Sequence, residues 1–377
     1  MLLNRARRLN EMVLPGRLMF GPTNVVLGVN NFCNLRCVMC DVGTGNGETN
    51  FGGNLTGAKS SSMSWETFQE AADQAQALWP RAHLSFVYTE PLAWPLIGKA
   101  LHYAAEKQQY TSVTTNGLLL SRWAKDIAAA RCGAVAVSLD GPEEVHDKIR
   151  RKRGSFARAV AGIEALAALS GAPEIGVYCA ISEFNVGTLR QFLREIEHLP
   201  VKKVGLLHTN FVTEDQAADH NQTFGAAFHA TASNVFEVDP ARVDLQVLAE
   251  ELTEIKATPY RFSVRVSPNL VTYDDLVVYY RNPETAVGRR CLDVFRSIMI
   301  DPDGDVIPVH GRCFRFPVVN IHRESLGVAW NHERISELRR TLAKAGGLLP
   351  ACTRCCGGFS GARPLRGANS SMAAAVP

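Results

Sequence analysis

Apolar and polar positions along the first 210 residues follow two periods that take turns. Short apolar or alternating runs stand at residues 25–29, 83–88, 111–115, 135–139, 175–181 and 204–207. Their length and composition predict strands. Between them, apolar residues recur every three or four positions. After Ser64, a plausible N-cap, Phe68, Ala72, Ala75 and Leu78 fall on one helical face. Helical patterns also follow Pro95 and cover residues 123–131, 156–169 and 186–196. Strands separated by helices run parallel, with the helices crossing over the sheet. Six such units over residues 25–210 predict an α/β fold, a partial (β/α)6 TIM-like barrel.

The alternation breaks elsewhere. Residues 43–62 are rich in Gly, Asn, Thr and Ser and read as a long loop, the kind often used as a lid. Residues 211–290 read as a mostly helical insertion or linker over the barrel mouth, with a strand-like run at 261–266. Residues 297–300 and 306–308 flank Asp301-Pro302-Asp303-Gly304, a hairpin signal. With a helix at 331–338 they make 291–357 a small C-terminal α+β unit. Residues 1–24 form an N-terminal extension, and residues 358–377, rich in Gly, Ala, Ser and Pro, are expected to be disordered.

Of the 377 residues, 46% are hydrophobic, enough for a sizeable core. Lys+Arg 40 against Asp+Glu 37 gives no global argument for nucleic acid. No run of about 18 apolar residues exists, so no spanning helix is expected. The N-terminus is basic but lacks the apolar core of a secretion signal. A short amphipathic helix there that touches a membrane or a partner stays open. The ten cysteines cluster as 33/37/40 and 352/355/356, which reads as metal binding in a reducing, cytoplasmic compartment.

The first cluster, Cys33-x3-Cys37-x2-Cys40, follows the first predicted strand. A [4Fe–4S] cube needs one ligand per iron, so three thiolates on one loop leave one iron open to a small molecule. Buried thiols and a zinc site are the other readings, though zinc wants a fourth ligand and no Cys or His follows until His83. Polar residues recur where later strands end: Thr89 and Glu90, Thr115 and Asn116, Ser138 and Asp140, Ser182 and Asn185, His208 and Asn210. Barrel-type sheets build their sites on that rim.

With Phe32 before the first cysteine and Met39 before the last, this loop resembles the signature of the radical S-adenosylmethionine (SAM) enzymes. The resemblance implies that SAM chelates the open iron and is cleaved to a 5′-deoxyadenosyl radical, with an electron from a donor such as flavodoxin or ferredoxin. Tyr88-Thr89-Glu90-Pro91 stands where the family has Gly-Gly-Glu-Pro, so Glu90 is expected to meet the SAM amino group. Asn116 and Ser138 lie in stretches that resemble the family's next two strand tips and are expected to contact SAM. Arg150, with Arg153 as alternate, matches the arginine that pairs the SAM carboxylate. Asn185 either bonds SAM or caps a helix.

Cys291, Cys313, Cys352 and Cys355 are spaced x21, x38 and x2. Four thiolates close a cube, or a zinc site. Around the hairpin, the pattern resembles the truncated SPASM form called a twitch domain, which implies one auxiliary [4Fe–4S] cluster. Val309 stands where the family places its second cysteine, which leaves Cys313, His310 or Cys356 to complete the set, Cys313 being favoured. A closed auxiliary cluster suits one-electron oxidation of a substrate radical. The leading expectation is therefore dehydrogenation, or related modification, of a small polyol, aminocyclitol or sugar-like metabolite. The alternative is maturation of a ribosomally made peptide by crosslinking or epimerisation. An iron–sulfur scaffold without enzymatic activity needs neither an open iron nor this rim.

Overall fold

The computed structural model describes residues 2–57 and 59–359. Its strands are β1 (Asn24–Leu27), β2 (His83–Phe86), β3 (Thr111–Thr115), β4 (Ala134–Ser138), β5 (Glu174–Ile181), β6 (Lys203–His208), β7 (Ser263–Ser267), β8 (Ser297–Ile300) and β9 (Val306–Pro308). They form one sheet in the order β7-β6-β5-β4-β3-β2-β1-β8-β9. Every pair is parallel except β8 with β9. The six expected strands lie at its centre, and the fold is the expected parallel α/β one. Their inward residues, among them Leu27, Phe86, Val137 and Leu206, are fully buried. Each such side chain stabilises the sheet by about 1.5–3 kcal/mol relative to exposure.

The sheet runs past those six strands at both edges. β7 pairs with β6, and β8 pairs with β1 in register, Asn24 opposite Ser297. The C-terminal hairpin is thus built onto the barrel sheet and supplies partners for backbone groups that an edge strand would leave open.

The stretch 43–62 is not a plain loop. It takes in the end of one short helix, Asp41–Thr44, and the whole of a second, Asn50–Leu55. Thr49 caps the second by accepting from the Gly52 N–H, and Phe51 and Leu55 bury against Met299 and Ile307. Asn54 donates to the carbonyls of Gly311 and Cys313. A segment tied down this way is a wedge between barrel and C-terminal unit. Residues 211–290 hold helices Glu214–Phe224, Leu245–Ala257 and Tyr273–Arg281 around β7. The helix expected at 331–338 begins after His332 and runs over Glu333–Lys344. Of the tail expected to be disordered, residues 360–377 lie outside the described residues.

Candidate functional site

Cys33, Cys37 and Cys40 pack with Leu35, Leu118 and Leu119 at the C-terminal end of the sheet. The loop is held by Val38 N–H to the Ile149 carbonyl, and by Gly43, whose Cα lies so close to the Cys37 backbone that a Cβ would fall 2.5 Å from its oxygen. Burial pushes the Cys33 thiol up to about 12 and Cys37 to about 11; neighbouring thiols add to both, and Arg150 draws Cys37 partly back. Grouped, desolvated thiols become thiolates at low cost only against a cation, so this donor set fits an iron–sulfur cluster.

Asp41, next after Cys40, is buried and takes hydrogen bonds from Thr49 Oγ1 (2.8 Å), Ser233 Oγ (2.7 Å) and Asn234 N–H (2.9 Å). The insertion therefore anchors the cysteine loop from across the barrel mouth. Nothing local in the sequence pairs residue 41 with residues some 190 positions away.

Glu90 is fully buried. One carboxylate oxygen accepts from Leu92 N–H (3.0 Å) and Thr115 Oγ1 (2.7 Å), the other from Asn116 N–H (2.7 Å). Burial raises its pKa, and these donors and Arg150 oppose the rise only in part. Asn116 in turn donates to Asn34 on the cysteine loop (2.7 Å). Tyr88 and Thr89 have φ of 64° and 39°, the left-handed region that two glycines would occupy without strain. The glycine-type backbone thus survives the loss of both glycines. The Tyr88 ring packs against Phe51 and His310, with centroids 6.1 and 6.3 Å away.

Arg150 ends the helix Glu143–Arg150 and points inward, whereas Arg153 is exposed. Its Nε donates to Asp140 Oδ2 (2.6 Å) and its Nη1 lies 3.7 Å from Cys37 Sγ. Burial works against its charge, but Asp140 and Cys37 outweigh it and raise its pKa. The other Asp140 oxygen accepts from Ala180 N–H. His146 Nδ1 accepts from Asp140 N–H, and burial lowers the imidazole to about 4, so the ring is neutral. Asp147 ties down the following turn through Gly154, Ser155 and Phe156. The basic run 150–153 thus divides into one largely buried, oriented arginine and three exposed residues.

Ser138 is half-buried at the tip of β4. Asn185 is fully buried: it accepts from Ser182 N–H and donates to the carbonyls of Asp140 and Ala180, which uses both amide hydrogens. It supports the rim from behind, and the cap of the next helix is Thr188. His208 faces away too, bonded to Tyr280 and the Leu270 carbonyl, with burial lowering it to about 4.

A cavity of about 60 Å³ is lined by Cys291, Cys313, Cys352 and Cys355, with Phe51 and Asn210 on its barrel side. All four thiols are pushed up, Cys352 to about 11 by burial; for Cys355 the hydrogen bond with Cys356 leads. Four thiols lining one cavity fit a closed cluster. Val309 lies in the same wall with φ of 70°. The ligand atoms of His310, Cys355 and Cys356 lie within 4.8 Å of one another. Burial opposes a proton on His310, yet Cys356 and Asp293 raise it to about 10. Arg354, beside Cys355, is fully buried and donates to five carbonyls, among them Tyr279, Thr285 and Asn282, which clamps this loop to the helix Tyr273–Arg281.

Residues 28–196 match the family model described as the Radical SAM superfamily, and residues 291–356 match SPASM, an iron–sulfur cluster-binding domain. The chain is 29% identical over 162 residues to the mycofactocin maturase MftC of Mycobacterium ulcerans (strain Agy99), a stretch covering 42% of this chain and 40% of that protein. The match thus spans less than half the length of that relative. Among solved structures, the fold is similar to Streptococcus suis SuiB bound to S-adenosylmethionine (TM-score 0.61, 15% identity, 93% of this chain and 76% of that one). It is also similar to SuiB bound to its precursor peptide SuiA (TM-score 0.60, 14% identity, 95% and 76%). A third similar structure is anSMEcpe with bound AdoMet (TM-score 0.56, 16% identity, 84% and 82%).

Proposed function

Because the chain belongs to the radical SAM superfamily and carries a SPASM-type iron–sulfur domain, we propose that it is a maturase that modifies a ribosomally made peptide. The reading rests on one observation. Cysteine loop, rim and second cysteine set follow one another in a fold similar to that of SuiB, a protein crystallised with its precursor peptide. The relative found by sequence is named a maturase. This support favours the peptide substrate over the small polyol expected from the sequence. Crosslinking or epimerisation of the peptide belongs to the same proposal, as does reduction by a flavodoxin or ferredoxin.

When bound, SAM and the cluster would supply the radical chemistry of hydrogen abstraction. The chain's own residues hold and orient. Cys33, Cys37 and Cys40 are the proposed ligands of the SAM-binding cluster, and Cys291, Cys313, Cys352 and Cys355 those of the auxiliary one. Arg150, held by Asp140, aims its remaining N–H groups at the cysteine loop, where a carboxylate would meet them. Glu90 and Asn116 brace that loop through Asn34 and bring negative charge to the side where the SAM amino group is expected. Ser138, half-buried at the tip of β4, offers its hydroxyl to the same rim, and Asn185 fixes the Asp140 backbone.

Glu90→Gln puts an NH2 where a carboxylate oxygen now accepts a hydrogen bond, so it is expected to lower unfolding stability by about 1–3 kcal/mol. In the proposed role it also weakens SAM binding, roughly tenfold to a hundredfold. Titrating SAM by its effect on the reduced cluster's EPR signal, beside urea melts, separates the two effects. Unchanged SAM affinity in a well-loaded variant removes Glu90 from the SAM site.

Substrate class is tested anaerobically with reconstituted enzyme, SAM and reductant. One arm offers synthetic peptides from short reading frames beside the gene, the other a panel of aminocyclitols and polyols. The expected result is 5′-deoxyadenosine formed in step with a modified peptide. Turnover coupled only to the small molecules overturns the reading.

A further inference from the structure

The helix Leu2–Val13 is mounted with its polar side inward. Residues at positions 7, 10 and 11 share one face, by their spacing of three and four. That face carries the bonds to the body of the protein. Arg7 donates to the Gly21 carbonyl (2.8 Å), and Asn10 donates to the Arg17 carbonyl (2.9 Å) and accepts from Met19 N–H (2.7 Å). Glu11 is buried and paired with Arg290 (3.0 Å). The opposite face holds Arg5, Arg8, Leu9, Met12 and Val13, again at spacings of three and four. Leu9, Met12 and Val13 are each more than 60% exposed, and Leu14 and Met19, just beyond the helix, are more than half exposed.

This is the reverse of the usual surface helix, which buries its apolar stripe. The charge that the helix itself presents outward has one sign. Arg5, Arg8 and, past the helix, Arg17 are exposed there, while the helix's one acid, Glu11, is turned inward and neutralised. Beside Val13, Leu14 and Arg17 stand Arg340, Lys344 and one acid, Glu333, which is paired with Arg340. Apolar side chains between exposed arginines, with that acid matched by its own arginine, complement a surface that offers hydrocarbon beneath anionic headgroups.

We propose that this face docks the enzyme on an anionic lipid bilayer, the helix lying in the plane of the headgroups. Leu9, Met12 and Val13 enter the acyl boundary, and Arg5 and Arg8 meet lipid phosphates. The proposal is independent of the substrate class. Among the described residues no helix is long and apolar enough to cross a membrane, so docking is peripheral and reversible.

The test is cosedimentation of the full-length, cluster-loaded protein with vesicles of phosphatidylcholine alone and of phosphatidylcholine mixed with phosphatidylglycerol. Binding is expected on the anionic vesicles only, and to weaken with salt. Arg5→Glu with Arg8→Glu should reduce it by roughly thirtyfold or more, from about 1 kcal/mol per arginine removed plus the repulsion added. Leu9→Glu with Met12→Glu should abolish it at low salt as well. These side chains are exposed, so iron content and thermal unfolding should match wild type, which sets a docking defect apart from misfolding. Equal binding to neutral vesicles, or none to either kind, overturns the proposal. So does a wild-type dimer in analytical ultracentrifugation that Met12→Glu dissociates, because a second copy then covers the face.

Discussion

Replacing Cys33, Cys37 and Cys40 together by alanine should remove about four irons from a reconstituted chain that otherwise carries about eight, four for each cube. Reductive cleavage of SAM should fall to background. The reciprocal variant, Cys291→Ala with Cys352→Ala, should keep about four irons and still cleave SAM, because the cysteine loop has its own packing around Leu35 and Leu118. Iron and sulfide analysis with EPR of each variant reads the outcome directly. SAM cleavage by the triple variant would sink the ligand assignment. Stoichiometric zinc in wild type, with only one cube, would make the C-terminal site structural and remove its part in electron transfer. Each thiol is costly to ionise where it stands, since burial raises Cys33, Cys37 and Cys352 alike. Occupancy by a cationic cluster offsets that cost, so both variants should also melt lower than loaded wild type when held anaerobic.

Asp140→Ala should destabilise the fold by about 3–5 kcal/mol, the largest stability effect expected of a single charge here. The carboxylate is 1% exposed and its partner Arg150 11%. Removing the acid leaves a guanidinium buried beside Cys37 without its counter-charge, and leaves the Ala180 N–H without an acceptor. Asp140→Asn keeps an acceptor for Ala180 and should lose less. A double change, Asp140→Ala with Arg150→Met, removes both charges and should recover part of the loss, because most of the single-variant cost is the stranded arginine. Urea midpoints of the variants check this. A midpoint for Asp140→Ala equal to wild type would mean that Arg150 finds water, and the pair would have no structural weight.

Much of this was readable along the chain, and the reason is periodicity. Strand and helix repeats predict the six central strands because burial on a parallel sheet imposes apolar runs that cannot be mistaken over many repeats. The cysteine loop was readable because three cysteines stand within eight residues. Thr49 and Phe51 lie in a stretch whose glycines and asparagines read as loop. Their cap and buried contacts come from the folded chain, so the wedge Asn50–Leu55 had no local signal beyond one threonine.

What only tertiary structure decided are the pairings between distant segments. Asp41 with Ser233 and Asn234, Asn54 with Cys313, and β8 with β1 each join residues whose sequence neighbours say nothing of one another. The inward turn of Asn185 and His208 belongs here too: a polar residue at a strand end predicts a rim position, while its neighbours decide which way it faces. The same holds for the helix Leu2–Val13. Its amphipathic spacing is in the sequence, but only the bonds of Asn10 and Glu11 to the body reveal that the polar face is the one held. Periodicity sets which residues share a face, and long-range hydrogen bonds set which face is buried.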